Sequence, residues 1–117
     1  MEEKMDNWHH RFWEEIKQAN IARSEGNEGK ARVCARRAAN VLLQYYFYLQ
    51  DIPATKNAIK NLTLLQNYLN VSHPAYPIVS HLLLRVNEEF QLPQEIDLIK
   101  DVLQLKEILL PENPLEA

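Results

Sequence analysis

Cysteine occurs once and glycine twice in these 117 residues. The single Cys34 cannot close an internal disulfide, so nothing in the chain asks for an oxidising compartment. The two glycines, Gly26 and Gly29, sit at one junction and leave little material for the tight turns of an all-β domain. No stretch approaches the roughly eighteen uncharged apolar residues that a membrane-spanning helix needs. The start, MEEKMDNWHH, is charged and has no apolar signal core, so the expected location is cytoplasmic. Two triplets, Asn61-Leu-Thr63 and Asn70-Val-Ser72, match glycosylation sites but carry no weight without a secretory signal. With a sequence pI near 5.8 the chain is not a bulk nucleic-acid binder, since such domains sit above about pI 9.

What is present is an ordinary globular composition, 46% hydrophobic and 25% charged, in a length that suits a single domain over residues 1–117. The charge is unevenly spread. Residues 1–60 carry a net +2 and residues 61–117 a net −5, within a total of −3. Apolar positions recur at helical spacing in five segments, about 3–25, 28–50, 53–70, 75–90 and 94–110. The first has the stripe Trp8, Phe12, Ile16 and Ala19. The second has Ala31, Cys34, Ala35, Ala38, Leu42, Tyr45 and Leu49. The third, opened by Pro53, has Ala58, Leu62, Leu65 and Leu69. The fourth has Ile78, Val79, Leu82, Val86 and Phe90, and the fifth Ile96, Ile99, Val102, Leu103 and Leu110. Gly26 suits the end of the first helix and Asn27 the cap of the second. Short connections make neighbours antiparallel. The predicted fold is all-α, an up-and-down antiparallel bundle of four or five helices.

The segment GNEGKARVCARR, residues 26–37, holds four of the thirteen cations immediately before the apolar run VLLQYYFYL. On a helical wheel Arg32 and Arg36 share one flank, and Lys30 and Arg37 the other. With Arg23 these residues, Lys30, Arg32, Arg36 and Arg37, are the candidate surface for an anion, a nucleotide or a partner. Arginine forks suit phosphate, and a helix N-terminus adds free N–H groups and a favourable dipole. The ordinary reading is a solvated face paired with Glu14, Glu15, Glu25 and Glu28; ion pairs across a subunit interface are a third. GNEGK lacks the strand and the GK[ST] ending of a phosphate-binding loop.

Other features point to packing. His9 and His10 are adjacent and diverge by about 100° on a helix, so they cannot chelate one metal together. His73 and His81 flank a proline-rich turn and suit caps or surface positions. Cys34 lies on the alanine stripe and reads as an inert packing residue. The four residues YYFY at 45–48 point in four directions and suit core or interface packing better than a stacking platform. No catalytic constellation, metal site or cofactor is indicated. The second half of the second helix is apolar all round, with Leu43, Phe47 and Tyr48 on its back. A second row, Leu98, Val102, Leu105 and Leu109, marks the fifth helix. Both suggest faces covered by a second copy in a homodimer.

The sequence ARSEGNEGKARVCARRAANVLLQYY, following a helix with Trp8 and Trp13, resembles the HEPN-type helical proteins of prokaryotes over roughly residues 8–50. The resemblance implies a helical bundle, a homodimer, and a role beside a nucleotidyltransferase partner or as a ribonuclease. The ribonuclease branch carries an arginine followed by four to six residues and then a histidine. Here His73 and His81 have no arginine at that distance, Arg85 follows His81, and His9 and His10 precede the shared segment. No catalytic residue carries over. The expectation is therefore a non-catalytic, dimeric interaction or regulatory module. It would bind a nucleotide, RNA or a nucleotidyltransferase partner through the basic part of the second helix. The alternative is a divergent ribonuclease using Arg32, Arg36 or Arg37 with a histidine brought near by folding.

Overall fold

The computed structural model describes residues 7–84 and 96–111 of the chain. Among them the fold is all-α, with no strand and five helices: α1 (Trp8–Ser24), α2 (Glu28–Leu49), α3 (Ala58–Tyr68), α4 (Tyr76–Leu83) and α5 (Leu98–Leu109). Local chemistry sets the ends. Gly26, at φ +79, closes α1. Its N–H donates to the Arg23 carbonyl at 3.0 Å, and the Asn27 N–H reaches back to Ala22 at 2.8 Å, the paired bonds of a left-handed helix stop. A Cβ on Gly26 would meet nothing within 4 Å, so the backbone angle and not crowding calls for glycine. The Asn27 side chain then caps α2 by accepting from the Lys30 N–H at 3.1 Å. Asp97 caps α5, accepting from Ile99 at 3.1 Å and Lys100 at 3.2 Å.

Three boundaries differ from the sequence expectation. The third helix starts at Ala58, because residues 51–57 are held in a loop. Asp51 adopts φ +59 and lets the Ile52 N–H return to the Phe47 carbonyl at 2.8 Å. Asn61, fully buried, then accepts from the Thr55 N–H at 2.9 Å and donates to the Thr55 carbonyl at 2.9 Å and to Asn40 Oδ1 at 2.6 Å. Asn57 caps the helix by accepting from Lys60 at 2.9 Å. These bonds, invisible in a hydrophobic pattern, outweigh the helix-opening signal of Pro53. Helix α4 stops at Leu83, with Leu84 extended. The expected continuation through Val86 and Phe90 lies outside the described residues, as do residues 3–6 of the first segment and 94–95 of the fifth. The fifth begins at Leu98, after its Asp97 cap.

The helices orient through contacts at both ends. Trp8 stacks on Tyr45 with ring centroids 4.8 Å apart, and at the other end Arg23 meets Glu28, so α1 and α2 are antiparallel. Lys106 lies over the Trp13 ring at 5.9 Å and Arg23 bonds Asp97, so α5 also runs antiparallel to α1. Helix α2 is central, touching α1, α3 and α5, while α4 bridges α3 and α5. Ala19, Ala22, Ala31, Ala35 and Ala38 are all buried and let α1 and α2 approach closely. Phe12, Leu42, Leu62, Leu65 and Leu82 fill the remaining volume.

The central position of α2 removes the argument for a dimer drawn from surplus apolar faces. Leu43, Phe47, Val102 and Leu105 are 0% exposed within this single chain, and Leu98 is 1%. The other helices cover them. Of the back face named from the sequence only Tyr48 stays open.

Candidate functional site

The basic residues of α1 and α2 are brought together, and most of their head groups hold the fold. Arg23 grips Glu28 through Nε at 2.6 Å and Nη2 at 3.1 Å, and donates to Asp97 through Nη1 at 3.0 Å. This fork clamps the α1–α2 junction to the start of α5. The Glu28 bond raises the pKa of Arg23 despite partial burial, and in return Arg23 lowers that of Glu28. Burial alone would push Asp97 up, but Arg23 and the N–H groups of Lys100 and Ile99 leave it below the usual carboxylate range.

Arg36 serves another helix end. Its Nε donates to the Leu82 carbonyl at 3.0 Å and its Nη2 to the Leu84 carbonyl at 2.8 Å. These are terminal carbonyls of α4 that no intrahelical N–H satisfies. Burial first, and then neighbouring Arg32, lower the pKa of Arg36. Arg37 pairs with Glu15 at 3.0 Å. Arg32 is half-buried and Lys30 exposed. Carboxylates and backbone carbonyls, and neither histidine nor Cys34, are thus the hydrogen-bond partners of Arg23, Arg36 and Arg37. Cys34 is buried at 2% exposure. A Cβ on Gly29 would meet only the Asn27 side chain, at 3.9 Å.

The histidines separate. His73 Nδ1 accepts from the Ala75 N–H at 3.0 Å, a turn cap. His9 Nε2 accepts from the Trp13 indole at 3.1 Å. Among the described residues no group of three or more His, Cys, Asp or Glu could hold a metal ion. The YYFY run divides: Phe47 enters the core, while Tyr45 stacks between Trp8 and Tyr48, the latter at 6.3 Å. Tyr45 and Tyr48, three residues apart, therefore do share one face.

His81 belongs to a site the sequence did not disclose. An open groove of about 720 Å³ lies between α4 and α5. Pro74, Pro77 and Ile78 form one wall and Leu103 and Ile108 the other, with Lys100 and Glu107 also lining it. In its floor His81 Nδ1 lies 2.9 Å from Asp101 Oδ2, with Asp101 only 8% exposed. Burial raises the pKa of Asp101, and the bond to His81 partly offsets it. The pair joins α4 to α5 across twenty residues of sequence. The arrangement offers an apolar cleft with one oriented imidazole, and no hydroxyl or thiol nucleophile lines it.

No family model, curated protein or solved structure matches the chain. No helix among the described residues is long and apolar enough to cross a membrane.

Proposed function

We propose that this chain is a non-catalytic interaction module that receives a segment of a protein partner in the α4–α5 groove. The observation that carries the reading is the groove: about 720 Å³, walled by apolar side chains from two helices, with a few polar groups converging on it. Clefts of that size and lining are the usual form of a binding site. Lys100 adds a positive charge along its α5 side, while Glu107 is paired with Lys106 at 3.2 Å, which suits a stretch of polypeptide carrying negative charge. The resemblance of residues 8–50 to HEPN-type proteins supports a regulatory role in which the chain is a homodimer and the partner nucleotidyltransferase-like. A nucleotide or RNA brought by that partner would meet the positive field around Lys30, Arg32 and Arg36.

A photo-crosslinking amino acid at Gln104, in the groove, and another at Lys30, on the basic face, test the proposal in cells making the full chain. A discrete protein adduct from Gln104 and none from Lys30 is expected. Adducts from Lys30 alone would move the site to the basic face, and adducts from neither position would reject the module.

The second reading is a divergent ribonuclease, favoured by one observation, the bracing of His81 by a buried carboxylate. A general base is commonly held in this way. Cleavage of single-stranded RNA by the chain, abolished in His81→Ala, would replace the module reading.

A further inference from the structure

We infer that Arg36 is a latch between the basic flank of α2 and the α4–α5 groove, worked by phosphate. Its guanidinium holds the last turn of α4, and with it His81 on Asp101, until phosphate oxygens on α2 draw it away. This rests on the groove being the docking surface and on phosphate meeting the positive field of α2, and it adds a link between them. Arg36 donates from Nε to the Leu82 carbonyl at 3.0 Å and from Nη2 to the Leu84 carbonyl at 2.8 Å. In the same turn the Leu84 N–H donates to the His81 carbonyl at 3.1 Å. The His81 ring stands on this turn, lines the groove, and reaches Asp101 of α5 at 2.9 Å. Arg36 thus fixes the backbone that carries one half of the pair joining α4 to α5. The neighbouring Ser80 is tied to Gln66 of α3 at 2.9 Å, and Val79 and Leu82 are fully buried. Release of Arg36 therefore leaves α4 seated and acts on the Leu82–Leu84 backbone and on His81.

What sets Arg36 apart from the neighbouring arginines is the charge of its partners. Arg23 holds the carboxylates of Glu28 and Asp97, and Arg37 that of Glu15. Arg36 holds two neutral carbonyl oxygens, and among the described residues it makes no salt bridge. Carboxylates are scarce around it: from Gly29 to Leu84 the single acid is Asp51, beyond the far end of α2. Burial lowers the pKa of Arg36, and the charge of Arg32, one turn away, lowers it further. A half-buried cation beside a like charge, held by dipoles alone, gains most from an anion. Phosphate oxygens give it charge-assisted, two-pronged bonds, roughly twice as strong as neutral ones. An arginine already on a carboxylate has no such gain to make. The exchange leaves the Leu82 and Leu84 carbonyls to water and slackens His81 on Asp101. Burial raises the pKa of Asp101 and the bond to His81 offsets part of the rise, so a slackened pair shows as a further rise. Phosphate on α2 then changes the polar groups that the groove offers a partner.

Carboxyl-carbon NMR titrations of the full chain follow Asp97 and Asp101 with pH, at constant ionic strength. They are run without anion, with tripolyphosphate, and with a short oligouridylate. The first anion presents a nucleotide-like phosphate chain and the second a phosphodiester backbone, and the tighter of the two names the source. Binding should raise the pKa of Asp101 and leave that of Asp97, on the Arg23 fork, where it was. The field of a bound anion alone would move both carboxyls. In Arg36→Ala the anion should bind about ten-fold more weakly, the worth of one charge-assisted hydrogen bond. Asp101 should be raised in that variant before any anion is added. If Arg36→Ala does not fold, the response of the unmodified chain decides. The inference is overturned if neither anion binds at millimolar concentration, or if Asp101 stays put or moves together with Asp97. It is equally overturned by an Arg36→Ala chain that keeps both the affinity and the Asp101 value. Each of these results leaves the groove as the docking site, which the Gln104 adduct tests separately.

Discussion

Two regions of the molecule collect polar side chains for opposite ends. Around the α1–α2 junction and along the first half of α2, Arg23 is forked onto Glu28 and Asp97, Arg36 closes the carboxyl end of α4, and Arg37 holds Glu15. In the α4–α5 groove, among the described residues, His81 pairs with Asp101 and Glu107 with Lys106, with apolar walls on either side. Dense charge in a sequence is therefore a poor guide to a site. What distinguishes a site is whether its polar groups still have bonding capacity after folding.

The contrast requires that α2 be enclosed by its own chain along its apolar half. Replacing Phe47, which is 0% exposed, with alanine should cost roughly 3–5 kcal/mol, the usual range for a buried phenylalanine. Urea unfolding followed by circular dichroism checks it. A loss below about 1 kcal/mol, or one that depends on protein concentration, would return this face to a subunit interface.

A smaller effect is expected from Arg36. Arg36→Ala should cost about 1–3 kcal/mol, because two carbonyls at the end of α4 lose their donors. Arg36→Lys should recover only part of this, since an ammonium cannot reproduce the fork. Faster amide exchange in α4 should accompany both changes. An Arg36→Ala chain with unaltered stability and weakened anion binding would restore a ligand role.

The smallest effect is in acid, where the two regions should differ in sign. Glu28 and Asp97 have lowered pKa values, so their stabilisation is present above the ordinary values of 4.5 and 3.8 and is lost as pH falls through their folded values. Asp101 is raised above 3.8, so its ionised form is a cost that is relieved as pH falls through its folded value. Arg23→Ala should flatten the loss of stability below about pH 4.5, and Asp101→Asn should steepen it slightly above pH 3.8. Glu28 and Asp97 are about half exposed, so the first change should stay below about 1 kcal/mol and shrink in high salt. Equal acid slopes in all three proteins would contradict the assignment.

Much of the fold was legible because the 3.6-residue period persists through five segments and because Gly26 and Asn27 are strong punctuation. The start of α3 was not, since it depends on Asn61 reaching back to Thr55 and across to Asn40. The basic cluster was legible as residues but not as partners: Asp97 is 74 residues from Arg23, and the carbonyls that Arg36 satisfies belong to another helix. His81 and Asp101 fall on separate helical patterns with nothing in either to announce the other. Only the packing of α4 against α5 creates the groove between them.

The central claim is that the cations of α1 and α2 hold the fold, while Lys100, which lines the groove, does not. The most direct measurement is a pair of urea unfolding curves at neutral pH. One compares the unmodified chain with the triple variant Arg23→Ala/Arg36→Ala/Arg37→Ala, the other with Lys100→Ala. The triple variant should lose about 2 kcal/mol or more, and the single variant should stay within about 0.5 kcal/mol of the unmodified chain. A triple variant as stable as the unmodified chain, alongside a Lys100→Ala chain that is clearly weakened, would contradict the account.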